Sequence, residues 1–353
     1  MITTRDFIPF LFILLFINDA LYGQTNRYKI RTVAFYNVEN LFDTINDPDT
    51  LDDDYTLEGK NKYTGSNYDH KIDNIASVVN RMGADMAKSS PVILGLAEIE
   101  NIKVLEDLVK SDPIRNQKYQ IIHYDSPDRR GIDVALIYKE ALFSPIHHEK
   151  IELKIWDEKG GRLFTRDLLW VSGIMDNEVI HVIVNHWPSR RGGRSRSEPK
   201  RMKAAYMVRK IINQIYEAYP EAKIIIMGDF NDDPINKSIK EGLLGSIDSS
   251  KTELNRFFNP MEHMYKKGYN TLAYRDGLNL FDQVILSSNL LKKEQSIDHL
   301  TFFKAGIYNP EILTNQAGRY KGYPFRSFQN NKYAGGYSDH YPVYIYLIKQ
   351  YSD

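Results

Sequence analysis

At 353 residues, with 46 basic side chains against 46 acidic ones, the chain has no formal net charge, so any anion site must come from local clustering. It contains no cysteine, which excludes disulfides, thiolate metal sites, cysteine nucleophiles and the lipid-acceptor residue of a bacterial lipoprotein. With 42% hydrophobic and 12% aromatic residues the composition is that of a globular protein, and one large domain is possible at this length.

Residues 7–17, FIPFLFILLFI, are too short to span a bilayer as a helix and follow Arg5, so they read as a secretory signal over residues 1–23 with cleavage after Gly23. No second apolar segment of membrane length follows. The expectation is a secreted or periplasmic, monomeric protein with no stable membrane insertion after cleavage. Tyr28 to Asn37 predicts a strand that ends in Asn37, Glu39 and Asn40. The next thirty residues, with Asp52, Asp53 and Asp54 in a row, lack periodicity and predict a long surface loop of solvated charge. Ile72, Ile75, Ala76, Val79 and Met82 recur at helical spacing and predict a helix over Asp69 to Met86. Pro91 to Leu96 predicts a buried strand delivering Glu98, followed by a helix from Asn101 through Lys110. Tyr119 to Tyr124 and Ile132 to Tyr138 predict two strands around the turn DSPDRRG. Mixed sheets with helices packed outside are the fold class this order implies.

Leu163 to Ile174 and Val179 to Trp187 predict a hairpin turning at Asp176 and Asn177, its second strand ending in Asn185 and His186. From Arg190 to Lys203, seven of fourteen residues are basic, with two glycines that let a ligand approach the backbone. Arg190, Arg191 and Arg194 are the candidates for holding phosphate oxygens, whether of a small ligand or of a nucleic-acid backbone. Ser197 is placed to cap the next helix, whose buried stripe is Ala205, Val208, Ile212, Ile215 and Tyr219. Then comes AKIIIMGDFNDDP, Ala222 to Pro234, a buried strand that releases Asp229, Asn231, Asp232 and Asp233 where it leaves the core. Asp and Asn also make ordinary strand-exit turns, so this stretch alone leaves turn and site both open. A further strand follows Asp282, and Ser338, Asp339 and His340 precede a closing strand. Without repeats or linkers, one domain is expected from about Tyr28 to Lys349 within residues 24–353.

Five predicted strands thus end in oxygen or imidazole side chains: Asn37, Glu98, His186, Asp229 with Asn231, and Asp339 with His340. Metal-assisted attack on a phosphate needs carboxylate, amide and imidazole together. In this order the motifs NVEN, GLAEIEN, VNHW, GDFND, FDQV and SDHYPV resemble the endonuclease/exonuclease/phosphatase superfamily, which includes the deoxyribonuclease I-like and exonuclease III-like enzymes.

The resemblance implies an α/β (α+β) four-layer sandwich, two mixed β-sheets packed face to face with helices outside. It implies Mg²⁺ as cofactor, with Mn²⁺ or Ca²⁺ as substitutes, held by Glu98 with Asn37 and Asp339. Asp229 is implied to position or deprotonate the attacking water, and Asn231 to contact the phosphate. His340, oriented by Asp282, and His186 are the implied imidazoles, and Arg166 the implied phosphate-binding arginine. The reaction expected is hydrolysis of a phosphoester by in-line attack of water, most simply in a secreted nuclease or phosphodiesterase acting on nucleic acid or another phosphoester. The alternatives are a phosphatase or phosphodiesterase of inositol or sugar phosphates or a phospholipid headgroup, and, in a different class, a non-catalytic phosphate-binding protein on the same fold.

Overall fold

The computed structural model describes residues 27–157, 159–244, 257–275, 277–291 and 298–351. The expected signal and its cleavage point lie outside the described residues. Two six-stranded sheets form the frame. The first is built from β1 (Arg27–Leu41), β2 (Ile93–Ile99), β3 (Tyr119–His123), β4 (Asp133–Lys139), β11 (Thr301–Ile307) and β12 (Val343–Tyr351), in the order β11-β12-β1-β2-β4-β3. The second contains β5 (Ser144–Ile151), β6 (Leu168–Met175), β7 (Glu178–His186), β8 (Lys223–Asp229), β9 (Phe257–Phe258) and β10 (Asp282–Ser287), in the order β9-β10-β8-β7-β6-β5.

Each sheet is antiparallel except for one pair, β1 with β2 and β7 with β8. A parallel pair needs a long crossover, and here each crossover carries a helix: α1 (Gly65–Arg81) between β1 and β2, and α3 (Arg194–Ala218) between β7 and β8. Parallel pairing also brings two carboxyl ends of strands side by side. That is why four chemistry-bearing termini meet at one edge.

The apolar faces of the two sheets share one core, in which Val33, Phe35 and Val343 meet Val182, Val184 and Met227. The approach is close enough that a Cβ on Gly95 would lie 2.6 Å from Met227 Sδ. Ile72, Ile75, Ala76 and Val79 of α1, with Val104, Leu105 and Leu108 of α2 (Ile102–Lys110), cover the outer face of the first sheet. Ala205, Val208, Ile212 and Ile215 of α3 cover the second through Ile224 and Ile226. The result is the four-layer sandwich. Among the described residues, no helix is long and apolar enough to cross a membrane.

Local chemistry moves some boundaries. Thr64 Oγ1 accepts from the Asn67 amide at 3.2 Å, so α1 starts at Gly65 rather than Asp69, and Gly83, at φ 75°, follows its end. Asn101 caps α2 by accepting from the Val104 amide at 3.1 Å. Asp176 and Asn177 take φ of 49° and 68° in the β6–β7 turn, the left-handed pair that such hairpins require. Ser197 is not a cap: α3 begins at Arg194, and the Ser197 hydroxyl donates back to the Gly193 carbonyl at 2.7 Å. The loop after β1 is better anchored than its composition implies. Asp52 is buried and accepts from the Asp47 amide, Tyr55 stacks on Phe42 with centroids 4.3 Å apart, and Tyr63 is buried against Phe328.

Candidate active site

Strand register assembles the first half of the site. Asp229 pairs with His186 on one side and with Asp282 on the other, so His186, Asp229 and Asp282 form a row across β7, β8 and β10. Paired residues project to the same face of a sheet, and all three are buried. The first sheet supplies the opposite wall through two irregularities. Its β1–β2 register shifts between Asn37 and Leu41, and its β2–β4 register shifts between Ala97 and Ile99. Glu39, Asn40 and Glu98 there take φ of 52°, 50° and 63°, and Asn231 after β8 takes 51°. Non-glycine residues in this region carry strain that the surrounding structure has to hold, and such bulges re-aim side chains at strand ends.

Asp229 is the hub. Its Oδ2 accepts from Asn37 Nδ2 at 3.1 Å and lies 3.5 Å from His186 Nε2 and 3.9 Å from His340 Nε2. Its Oδ1 accepts from the Asn231 amide at 2.9 Å. His340 is fixed from behind by a 2.7 Å contact between Nδ1 and Asp282 Oδ2, and Ser338 Oγ, which accepts from the His340 amide, donates to the Asn37 carbonyl. Glu98 Oε2 accepts from the Asn40 amide at 2.9 Å, while Oε1 is 3.9 Å from His186 Nε2. Asp339 Oδ2 accepts from Arg326, and Oδ1 is 3.8 Å from His340 Nε2.

The two imidazoles differ in environment. Burial and the nearby Arg166 hold His186 well below the usual histidine range, and among the described residues its buried Nδ1 has no hydrogen-bond partner. Burial opposes charge on His340 as well, but the Asp282 carboxylate against its ring outweighs that and holds it well above the usual range. The two environments push the ring pKa values apart, favouring the neutral form of His186 and the charged form of His340. Burial pushes the Asp229 carboxyl up to about 7, with His340 opposing and the Asp282 and Glu98 charges adding. Glu39 is likewise pushed up to about 7 by burial and then by Asp339.

This crowding of carboxylates bears on a metal. Glu98 and Asp339, with side chains 14% and 30% exposed, are the most open acidic groups of the cluster, and each keeps one oxygen without a donor among the described residues. Their charges raise the Asp229 and Glu39 pKa values, an energetic cost that a divalent cation between them would remove. The donor set fits a hard, oxygen-loving ion. Asp229, Asp282 and His340 also bring ligand atoms within 4.8 Å of one another, but His340 and Asp282 are engaged with each other and the imidazolium repels a cation. That leaves the Glu98–Asp339 edge as the candidate cation site. Asn37 stands beside it with Nδ2 on Asp229 and Oδ1 accepting from the Glu39 amide.

The remaining expected residues divide. Asn231 Nδ2 and Arg166 Nη2 both donate to the Trp187 carbonyl, at 2.9 and 2.6 Å, and Arg166 also donates to Asp128 at 3.2 Å. Arg166 is buried behind His186 rather than open to solvent. Arg190 turns inward, donating to the Asn231 carbonyl, Asp232, Asp233 and Asn236, with its guanidinium 4.3 Å over the Phe281 ring. Arg191 and Arg194 are exposed. Residue types alone do not single out Arg326, which joins Glu39 to Asp339, or Lys71, which is buried on α1 and donates to the Glu39 carbonyl. Lys71 does carry a sequence signal, a lone cation on the apolar side of a helix beside Ile72 and Ile75.

No curated protein matches the sequence. Among solved structures, a D. rerio TDP2 humanised by 14 mutations superposes with a TM-score of 0.54 at 14% identity, covering 90% of this chain and 99% of its own. An endonuclease/exonuclease/phosphatase family protein from Bacteroides thetaiotaomicron gives 0.53 at 17% identity, covering 91% and 98%. A mannosyl-6-phosphatase from Bacteroides thetaiotaomicron VPI-5482 gives 0.52 at 15% identity, covering 90% and 99%. At these identities the likeness is one of fold. The sequence pattern of the Endonuclease/Exonuclease/phosphatase family matches residues 32–349, which takes in every site residue described above. With sandwich, strand-end cluster and sequence pattern agreeing over that span, the chain belongs to the endonuclease/exonuclease/phosphatase family.

Proposed function

We propose that the protein hydrolyses a phosphate ester by in-line attack of water, in the cleft between the Glu98–Asp339 edge and the His186–Asp229–Asp282 row. The observation that carries this is the placement of one carboxylate oxygen, Asp229 Oδ2, between two imidazoles, 3.5 Å from His186 Nε2 and 3.9 Å from His340 Nε2, whose surroundings push their pKa values in opposite directions. With its pKa pushed up to about 7, Asp229 is suited to take a proton from water near neutral pH. His340, locked by Asp282, presents a charged N–H where negative charge develops on the phosphoryl oxygens. Asn37 fixes the Asp229 carboxylate, and neutral His186 offers a second uncharged contact. Glu98 and Asp339 would hold a divalent cation, Mg²⁺ the first choice, which when bound would supply charge neutralisation and polarisation of the ester. Export through the 1–23 segment is part of the proposal, supported by its apolar run.

A nuclease reading draws support from the exposed Arg191, Arg194 and Arg196, which line one edge beyond Arg190. Purified protein offered duplex DNA, RNA, sugar phosphates and phosphodiesters with Mg²⁺ tests both. Metal-dependent turnover that Asp229→Asn abolishes is the expected result, and turnover that survives this change rules out the proposed base. If DNA is the substrate, Arg191→Ala with Arg194→Ala should flatten the log–log salt dependence by about two units, and an unchanged slope removes the basic edge from binding.

A further inference from the structure

Next to the site the surface opens into a cavity of about 460 Å³ that shares Asp339 with it but whose other lining residues the chemistry above does not use. Its walls come from the loop after β1, the hairpin Leu272–Tyr274/Gly277–Asn279, the 315–324 loop and the hairpin Phe328–Gln329/Lys332–Tyr333. Two features set it apart from an ordinary surface groove. The first is charge. Arg275 and Arg319 both line the cavity, and among the described residues neither makes an ion pair; each lies over its neighbouring ring instead, Arg275 5.2 Å from Tyr274 and Arg319 5.9 Å from Tyr320. Arg326 and Arg190, by contrast, are held by carboxylates. Guanidinium groups on aromatic faces beside a cleft are suited to an anion that arrives from outside. Arg275 sits at the apex of its two-residue hairpin with φ 47°, the left-handed conformation such turns require.

The second feature is attachment. Leu272 forms a β-bridge with His340, and the Thr271 carbonyl accepts from the Tyr341 amide at 2.7 Å. The hairpin carrying Arg275 is therefore held in fixed register with His340. Four walls and a volume in the small-molecule range define a place for a compact group rather than a track for an extended strand.

We propose that this cavity binds the part of the substrate that is not cleaved, and that Arg275 and Arg319 hold a second phosphate on it. The favoured substrate is then a small molecule bearing two phosphates, one aimed at Asp229 and His340 and one at the arginine pair. This rests on the phosphoester-hydrolase reading for the first phosphate, but the subsite can be tested without turnover.

The full chain is titrated calorimetrically in EDTA, which holds back metal-dependent turnover, with fructose 1,6-bisphosphate against fructose 6-phosphate and thymidine 3′,5′-bisphosphate against thymidine 5′-monophosphate. The two pairs distinguish a sugar carrier of the second phosphate from a nucleoside carrier. At least one bisphosphate should bind about tenfold or more tighter than its monophosphate, as expected for a charge-assisted contact. Arg275→Gln with Arg319→Gln, both exposed positions, should bring that ratio to within about twofold. Equal binding of both members in both pairs, or a preference that survives the double substitution, overturns the subsite. The same pairs are then followed for phosphate release with Mg²⁺. Preferential binding without release overturns the hydrolase reading and leaves the subsite standing, whereas release with no bisphosphate preference does the reverse.

Discussion

Asp282 is fully buried, yet its carboxylate is what raises the pKa of the His340 ring against the cost of burial. Removing its charge with Asp282→Asn should let burial dominate His340 and turn the imidazolium neutral. We expect kcat to fall by about 10² while the fold survives, with the His340 ring signals in NMR reporting the lost proton. Unchanged ring titration in that variant would separate Asp282 from the role given it here. Asp229→Asn should be at least as damaging, about 10² or more in kcat, because it removes the proton acceptor and its single carbonyl oxygen can accept only one of the two hydrogen bonds from Asn37 and the Asn231 amide. His181, far along β7 from its catalytic end, offers a cleaner pH experiment. Burial pushes it down to about 4 from 6.5 while its Nδ1 stays 2.7 Å from Ser172 Oγ. The unfolded chain therefore takes up this proton first, so its contribution to stability is present above pH 6.5 and is lost as pH falls towards 4. The integrated loss is about 3 kcal/mol. Urea midpoints measured from pH 7.5 to 4 should fall less steeply in His181→Gln than in the parent protein.

Strands and helices were largely legible because their periods are strong, and the exceptions have physical causes. β5 is an edge strand whose exposed residues include His147 and His148, so it shows no apolar alternation to read. β6 starts five residues later than its apolar run because Thr165, Arg166 and Asp167 leave the ladder to make buried polar contacts. The strand-end residues Asn37, Glu98, His186 and Asp229 could be read from the chain because each closes an apolar run, and His340 because it opens one. Arg326 and the Arg275–Arg319 pair could not, since they stand in loops whose place is set only by tertiary contacts. Inward-facing Arg190 was misleading for a related reason. A basic run looks uniform until Asp232 and Asp233 choose one member of it. The tightness of the frame can be tested at Gly173 on β6, where a Cβ would lie 2.3 Å from the buried Phe143 ring. Gly173→Ala should cost about 1–3 kcal/mol by overpacking, seen as a lower denaturation midpoint with an unchanged m-value.

For the molecule as a whole, repulsion among the clustered carboxylates makes metal binding and stability one measurement. Mg²⁺ at a hundred times its Kd should stabilise the fold by about 2.7 kcal/mol and raise Tm accordingly. Glu98→Gln should weaken that response strongly, and a full Mg²⁺ shift in this variant would place the cation elsewhere.

The row His186–Asp229–Asp282 has a consequence for how such a protein can change over time. Its three members belong to different strands and are aligned only by ladder register, so a single inserted or deleted residue inside β8 would send the Asp229 carboxylate to the opposite face. The hairpins around the neighbouring cavity obey no such rule, because their apices hang beyond the ladders. Descendants of this chain are therefore free to lengthen, shorten or exchange those apices, acquiring appetites for new molecules while the reacting groups stay in step.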